Sequence, residues 1–119
     1  MHKIDKKRFV QSTLLVSAAL ALATQSQAEA SEFGGQMNGL RINEGQSGAR
    51  VSIHVGPHNS PCTGAGGEWF AFEDADQGLG ALWASALIST LAQDRNVFIS
   101  GTGQCDQFQI EGVDFFDFR

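Results

Sequence analysis

Residues 79–105, LGALWASALISTLAQDRNVFISGTGQC, decide the fold of this chain. In the first half of the stretch, apolar side chains recur at the spacing of one buried helical stripe: Leu79, Leu82, Trp83, Ala86, Leu87 and Leu91. The segment that follows, Asn-Val-Phe-Ile-Ser at 96–100, is β-prone and predicts a strand. A helix that leads directly into a strand needs a sheet to cover. We therefore expect the flanking segments to supply further strands.

Three strands are predicted before the helix, because apolar and polar residues alternate there along the chain. They cover residues 37–43, 50–55 and 68–72. The turn at 44–48 contains two glycines and joins the first two strands as a hairpin. Residues 31–36 are polar and glycine-bearing, and we expect them to form a loose arm.

Two strands are predicted after the helix, at 96–102 and 107–118. The apolar parity of the last strand changes at Gly112, which indicates a β-bulge that bends a long strand. The order strand, strand, strand, helix, strand, strand is that of the five-stranded oligonucleotide/oligosaccharide-binding barrel, the OB-fold. We therefore predict an all-β fold with one helix, built as a five-stranded OB-fold barrel. A half-open sheet covered by one helix is the competing architecture.

The N-terminal segment has the three-part pattern of a secretory signal peptide. A basic stretch at residues 2–8 precedes an apolar run at 9–23, and small residues follow at Ala28 and Ala30. The apolar run is shorter than the ~20 residues that span a bilayer. We predict that residues 1–30 are a signal peptide, cleaved after Ala28 or after Ala30.

Residues 31–119 then form a single domain of a secreted or periplasmic protein, with no membrane association after cleavage. They contain four arginines, no lysine and eleven acidic side chains, so their net charge is −7, against −5 for the whole chain. An acidic surface of this kind repels phosphate backbones, and we expect no nucleic-acid partner.

The two cysteines, Cys62 and Cys105, predict one disulfide, since an even pair in a small exported domain is usually oxidised. The bond closes a loop of roughly 40 residues. A reactive thiol or a metal-binding pair is the alternative, for which the chain lacks a Cys-x-x-Cys motif.

The residue pattern predicts no enzyme, no metal site and no cofactor. His54 and His58 lie ~13 Å apart if the strand is extended, which is too far to share a metal ion. The alternative is a metal site in which the turn at 56–57 brings them closer and Glu44 or Glu68 joins them. No serine occupies a Gly-x-Ser-x-Gly turn. The acidic residues at 73–76 lack the distal glutamate of an EF-hand loop, and we expect Asp74 or Asp76 to cap the helix instead.

Five apolar residues are candidates for contact with a ligand or with another subunit. Trp69 and Phe70 are consecutive in a strand, so their side chains point to opposite faces, and the same holds for Phe115 and Phe116. Ile88 lies on the back of the helix, where a branched apolar side chain is exposed unless another subunit covers it. An exposed aromatic ring stacks against a sugar or a base, or becomes buried at an interface.

Three motifs together resemble a known family. They are Cys-x6-Trp-Phe beginning at Cys62, Ala-Leu-Trp-Ala-Ser-Ala-Leu-Ile-Ser-Thr-Leu-Ala at 81–92, and Val-Phe-Ile-Ser-Gly-Thr-Gly-Gln-Cys at 97–105. Over residues 62–118 the chain is similar to the B subunits of subtilase-cytotoxin-type AB5 toxins and to related exported small proteins. The resemblance implies an exported, disulfide-linked barrel that forms a homo-oligomeric ring of five and binds surface glycans.

The expected function is an exported, non-enzymatic binding module, a glycan-binding protein like a toxin B subunit. The alternative is a periplasmic structural or interaction protein that uses the same fold. A toxin-like subunit needs a ring interface and an exposed aromatic residue that stacks on a sugar. A structural protein needs neither of these features.

Overall fold

The computed structural model describes residues 29–119. The predicted signal peptide lies outside the described residues, except for its last two, Glu29 and Ala30. The described part consists of six strands and one α-helix, which we label in chain order. They are β1 (Glu32–Gln36), β2 (Gly39–Glu44), β3 (Ala49–His54), β4 (Trp69–Phe72), α1 (Gly78–Ala92), β5 (Asn96–Cys105) and β6 (Glu111–Phe118).

All six strands belong to one sheet, in the order β1-β5-β6-β4-β3-β2. Neighbouring strands are antiparallel except β4 and β6, which are parallel and are connected through α1 and β5. The predicted hairpin of β2 and β3 is confirmed, with Ile42 opposite Val51. The register of β5 on β6 shifts on both sides of Gly101, which faces Val113. This irregularity lies one residue from the bulge predicted at Gly112.

The fold is a β-sheet with one helix, as predicted, but the prediction of a closed five-stranded barrel is wrong. The sheet has six strands and is not closed. The additional strand comes from the predicted loose arm, because residues 32–36 pair with β5. Only Met37 and Asn38 separate β1 from β2, yet these strands occupy the two ends of the order. The chain changes its pairing partner at Met37, whose side chain turns into the core.

The helix α1 presents a different side to the sheet from the one that the apolar stripe predicts. Leu87 is fully buried, and Trp83 and Leu91 pack against the core beside it. Leu79 and Leu82, which the stripe predicts to be buried, are 61% and 69% exposed. The helix contains no charged residue and is apolar over most of its circumference. The pattern therefore does not determine which side faces the sheet.

The start of α1 also differs from the prediction of an aspartate cap. The N-cap residue is Gln77, whose side chain makes no capping hydrogen bond. The carboxylate of Asp76 accepts a hydrogen bond from the Ala49 N–H instead (3.0 Å). The Ala75 N–H donates to the Ala49 carbonyl oxygen (2.9 Å). These contacts attach the segment before the helix to the start of β3.

The core lies between the sheet and α1. An aromatic cluster forms its margin, where Phe72, Trp83 and Phe116 meet edge to face with ring centres 5.1–5.8 Å apart. The fully buried apolar side chains come from β3, β4, β5 and the helix: Val51, Ile53, Phe70, Leu87, Val97 and Ile99.

The predicted disulfide is confirmed, with the sulfur atoms of Cys62 and Cys105 bonded at 2.08 Å and the Cα atoms 5.6 Å apart. It attaches the long loop between β3 and β4 to the last residue of β5. In the same loop, the Gly64 N–H donates to the Gln109 carbonyl oxygen (2.8 Å). Within residues 29–119, no helix has the length and apolar character needed to cross a bilayer.

Candidate ligand-binding site

A groove of about 330 Å³ lies over β2, β3 and β4. Strand register explains which side chains line it, since Arg41 is opposite Ser52 and Asn43 is opposite Arg50. Side chains alternate along a strand, so these four residues share the face of the sheet that points away from the core. The other lining residues come from β4 and from two loops: Trp69, Ala65, Phe108 and Ile110.

Arg50 forms the floor of the groove. Its side chain is 5% exposed, and its guanidinium forms ion pairs with Glu73 (Nε to Oε2, 3.3 Å) and with Asp106. It also donates a hydrogen bond to the Ser52 hydroxyl (2.5 Å). Two carboxylates thus balance one buried cation. Arg50 is held in place by these contacts, and its charge is already compensated.

The loop between β5 and β6 forms one wall of the groove. Asp106, which pairs with Arg50, accepts hydrogen bonds from the backbone N–H groups of Phe108 (2.9 Å) and Ile110 (3.0 Å). The Phe108 ring centre lies 4.9 Å from Arg50 Cζ, a cation–π contact. The same ring is 56% exposed. The ion pair on the floor therefore positions an exposed aromatic ring at the edge of the groove.

Trp69 forms a second wall. The centre of its ring lies 5.4 Å from Arg41 Cζ and 4.8 Å from the centre of the His54 ring. Both contacts hold the partly exposed indole in one orientation. Arg41 forms no ion pair with any side chain of residues 29–119. Its guanidinium is therefore available to an anionic or hydroxyl group of a ligand.

The groove combines two aromatic surfaces with planar hydrogen-bonding groups. Trp69 and Phe108 offer apolar faces, Arg41 offers donors, and the Asn43 amide offers both donors and an acceptor. Aromatic faces pack against a flat or puckered ring, while guanidinium and amide groups bind hydroxyls and carboxylates. This combination suits a polar ring such as a sugar.

The five apolar candidates of the sequence do not meet in one place. Trp69 lines the groove. Phe70 is fully buried and Phe116 belongs to the aromatic cluster of the core, so both are packing residues rather than ligand contacts. Phe115 on β6 and Ile88 on α1 are 47% and 50% exposed and lie away from the groove. Only one of the five candidates therefore contributes to the groove.

Several groove residues were not predictable from the sequence. Arg50 appears as an ordinary polar residue at the start of an alternating strand, and Phe108 appears as an apolar residue of the last predicted strand. In the structure, Phe108 belongs to the loop before β6, because Asp106 binds the backbone there. The contact that joins Arg50 to this loop spans 56 positions of the chain. No pattern of neighbouring residues in the sequence predicts such a distant contact.

The rings of His54 and His58 both pack against aromatic side chains. The ring of His54 is tilted by 41° against that of Trp69, and the ring of His58 stacks on that of Phe70 with the ring centres 4.5 Å apart. His54 Nε2 is 3.8 Å from a carboxylate oxygen of Glu68. Over the part of the chain that the structure describes, no three His, Cys, Asp or Glu side chains are grouped as a metal site would require.

A second polar cluster lies inside the fold, around Glu111 at the start of β6. Its side chain is fully buried and accepts four hydrogen bonds. A β-carbon added at Gly101 would lie 2.0 Å from Glu111 Oε2, so only glycine leaves room for the carboxylate. The sequence gives no sign of this burial, because Glu111 occupies a polar position in a predicted strand.

Comparison with known proteins identifies no relative: no protein-family model matches the chain, and no curated protein or solved structure does. No role can therefore be transferred to Trp69 or to Arg41 from another protein. The chemistry of the groove rests on the contacts described above.

Proposed function

We propose that the protein is an exported, non-enzymatic binding module that binds a glycan in the groove. The observation that carries the proposal is the partly exposed indole of Trp69, held by Arg41 and His54 and accompanied by the exposed Phe108. A pyranose ring stacks its C–H face on such an indole, while its hydroxyl groups bond to Arg41 and Asn43. The disulfide supports export, because disulfides persist in oxidising compartments.

The arrangement of the strands supports the same proposal. When β1 and β2 are counted as one interrupted strand, the strand order becomes that of the OB-fold, with α1 between its third and fourth strands. OB-folds bind oligosaccharides over their second and third strands and beside the loop between the fourth and fifth. Counted in this way, these elements are β3, β4 and the loop that carries Phe108, which line the groove. An OB-like strand order with a broken first strand is thus part of the proposal.

Electrostatics favours a glycan that carries one carboxylate. Arg41 has no acidic partner among the described residues, so a sugar carboxylate gains a charge-assisted, bidentate contact there. The net charge of −7 over residues 31–119 disfavours a polyanion, because repulsion acts over roughly 10 Å at moderate salt. A sugar that carries one carboxylate and no other charge gains the contact with Arg41 and experiences little of this repulsion.

Titration of the processed protein with glycans selected on an array tests the proposal, with affinity measured by calorimetry. Trp69→Ala removes the stacking surface, and we expect binding to weaken about tenfold or more. Arg41→Ala is expected to weaken carboxylated glycans more than their neutral counterparts. Phe115→Ala is the matched control, because it removes a 47% exposed aromatic ring from a different surface.

Two results contradict the proposal. Equal affinity of wild type and Trp69→Ala excludes the groove as the glycan site. Absence of binding to any glycan at about millimolar concentration, the weak end of specific recognition, refutes glycan recognition itself. That second result favours the alternative of a periplasmic structural or interaction protein.

The proposal includes self-association through α1, in a ring of five by the resemblance. The helix contains no ionisable residue, and its side chains Leu79, Leu82 and Ile88 are 61%, 69% and 50% exposed. Two copies of an acidic chain repel each other least at a charge-free face, and contact there removes apolar surface from water. Light scattering of the processed protein at micromolar concentration is expected to give an oligomeric mass. A monomer refutes this part of the proposal.

A further inference from the structure

Among residues 29–119, the buried carboxylate of Glu111 has no cationic partner. Its Oε2 accepts hydrogen bonds from the backbone N–H groups of Ser31 (2.9 Å) and Gly103 (3.0 Å). Its Oε1 accepts from the hydroxyl groups of Ser31 and of Ser60 (3.0 Å). All four donors are neutral, although an ionised carboxylate that is 0% exposed is costly without a positive charge beside it.

Ser31 is the first of the residues 29–119 that hydrogen bonds attach to the rest of the fold. Its backbone N–H and its hydroxyl both bind Glu111, and its carbonyl oxygen accepts a hydrogen bond from the Gly101 N–H (2.8 Å). Ser31 is 3% exposed, whereas Glu29 and Ala30 just before it are exposed. Among the described residues, the change from exposed to buried backbone thus falls at the Ala30–Ser31 peptide bond.

We propose that removal of the signal peptide cuts the Ala30–Ser31 bond and that the α-ammonium of Ser31 becomes the charge partner of Glu111. In the hydrolysis, water adds to the Ala30 carbonyl carbon and the C–N bond breaks. Ala30 leaves as a carboxylate, and the Ser31 nitrogen becomes an ammonium. One neutral N–H donor is thereby replaced by a cation that faces the buried carboxylate, which strengthens the hydrogen bond. This inference concerns processing and does not depend on the ligand of the groove.

The structure distinguishes the two cleavage sites that the sequence leaves open. Both have small residues at the first and third positions before the cut, Ser26 and Ala28 for one site and Ala28 and Ala30 for the other. Cleavage after Ala28 places the new amine on exposed Glu29 and leaves the Ser31 nitrogen as an amide. Only cleavage after Ala30 supplies Glu111 with a cation. The domain then reaches its full stability only after the signal peptide is removed, because the ion pair forms only in the cleaved product.

Export of the full chain in a bacterial host, followed by intact mass measurement and N-terminal sequencing, tests the cleavage site. We expect the product to begin at Ser31. Ser26→Leu disables only the earlier site and is expected to leave the product unchanged. Ala30→Leu disables the later site and is expected to give a product that begins at Glu29. A wild-type product that begins at Glu29, or a chain that stays uncut, overturns the proposal.

Chemical acetylation tests whether the new amine is buried. Residues 31–119 contain no lysine, so the α-amine is the one amino group of the product that an amine-selective reagent can acetylate. The Ser31 amine is expected to react about tenfold or more slowly in the folded protein than in urea, because reaction requires local opening. The amine of the Ala30→Leu product, on exposed Glu29, is expected to react at similar rates in both. Equal rates for the Ser31 product overturn the proposal.

Thermal unfolding tests the ion pair itself. The product that begins at Ser31 is expected to melt about 4–8 °C above the Ala30→Leu product, because a charged hydrogen bond replaces a neutral one. Glu111→Gln should abolish this difference, since the carboxamide carries no charge. If Glu111→Gln does not fold, the ion pair is still tested by the melting temperatures and acetylation rates of the wild-type and Ala30→Leu products, which both keep Glu111. Equal melting temperatures of those two products overturn the ion pair.

Discussion

Replacing Leu87 by alanine tests how α1 is rotated against the sheet. Leu87 is 0% exposed, and the substitution removes three carbon atoms from the core. Lost burial of about 0.8 kcal/mol per carbon and a partly relaxed cavity, at about 24 cal/mol per Å³, together give about 3–4 kcal/mol. A loss of this size is a large share of the roughly 5–15 kcal/mol that stabilises a typical domain.

Leu82→Ala is the matched control, because it makes the same chemical change in the same helix. Leu82 is 69% exposed, so we expect its replacement to change the free energy of unfolding by less than about 0.5 kcal/mol. The higher helix propensity of alanine offsets part of any loss. The apolar stripe of the sequence places both leucines in the core. The pair of variants therefore separates the observed rotation of the helix from the one that the stripe predicts.

Urea denaturation with the disulfide intact measures the free energy of unfolding of both variants and of the wild type, with tryptophan fluorescence as the signal. Trp83 packs 5.2 Å from the Phe72 ring centre and should report loss of the core. The slope of free energy against urea should stay constant across the variants, since a constant slope shows that stability alone has changed. Repeating the series at two protein concentrations reveals any contribution from self-association. Equal losses for the two variants, or a larger loss for Leu82→Ala, refute the reasoning.

Three further predictions follow from the fold. Gly101→Ala should lower the free energy of unfolding by about 3 kcal/mol or abolish folding, because the new β-carbon would lie 2.0 Å from a carboxylate oxygen of Glu111. Gly39→Ala, whose new β-carbon would have no atom within 4 Å, should leave the free energy of unfolding nearly unchanged in the same denaturation assay. Similar stabilities of these two variants would contradict the close contact. Reduction of the disulfide, which links positions 43 apart, should lower the free energy of unfolding by about 4 kcal/mol in urea titrations, and an unchanged midpoint would show that the crosslink is not stabilising. Ile88→Lys should reduce the mass measured by light scattering to that of a monomer, while the circular-dichroism spectrum stays that of the folded protein. Gln107→Lys adds the same charge in an exposed loop and should leave the oligomeric mass unchanged. An oligomer that survives Ile88→Lys argues against α1 as the interface.

Much of the secondary structure follows from short stretches of the sequence. Val51, Ser52 and Ile53 alternate with a period of two, which marks a strand because successive side chains point to opposite faces. Residues 78–92 contain no proline or charged residue, and they form the helix that their composition favours. The disulfide is predictable because only two cysteines exist and they occur in a small domain with export features. Each of these conclusions needs only neighbouring residues or a simple count.

The candidate groove is only partly predictable. Trp69 is identifiable from the sequence as an aromatic residue whose strand neighbour must face the other way. Phe108 reaches the groove because Asp106 pairs with Arg50 on a distant strand. Phe70 has the same local signal as Trp69 but is buried, because it points to the face of β4 that meets the core, whereas Trp69 points to the opposite face. The face of β4 that the core covers separates these two residues, and the sequence of a single strand does not show which of its faces is covered.

By itself, the sequence determined that residues 78–92 are helical and that strands surround them. Only the tertiary structure decided which side of α1 is buried, because a helix that is apolar nearly all round has no preferred side until a sheet packs against it. The interior position of Glu111 is likewise a tertiary property. Its carboxylate is tolerated there because hydroxyl groups from Ser31 and Ser60, 80 and 51 positions away, converge on it with the Gly103 N–H. Hydrogen bonds between such distant residues exist only once the chain has folded.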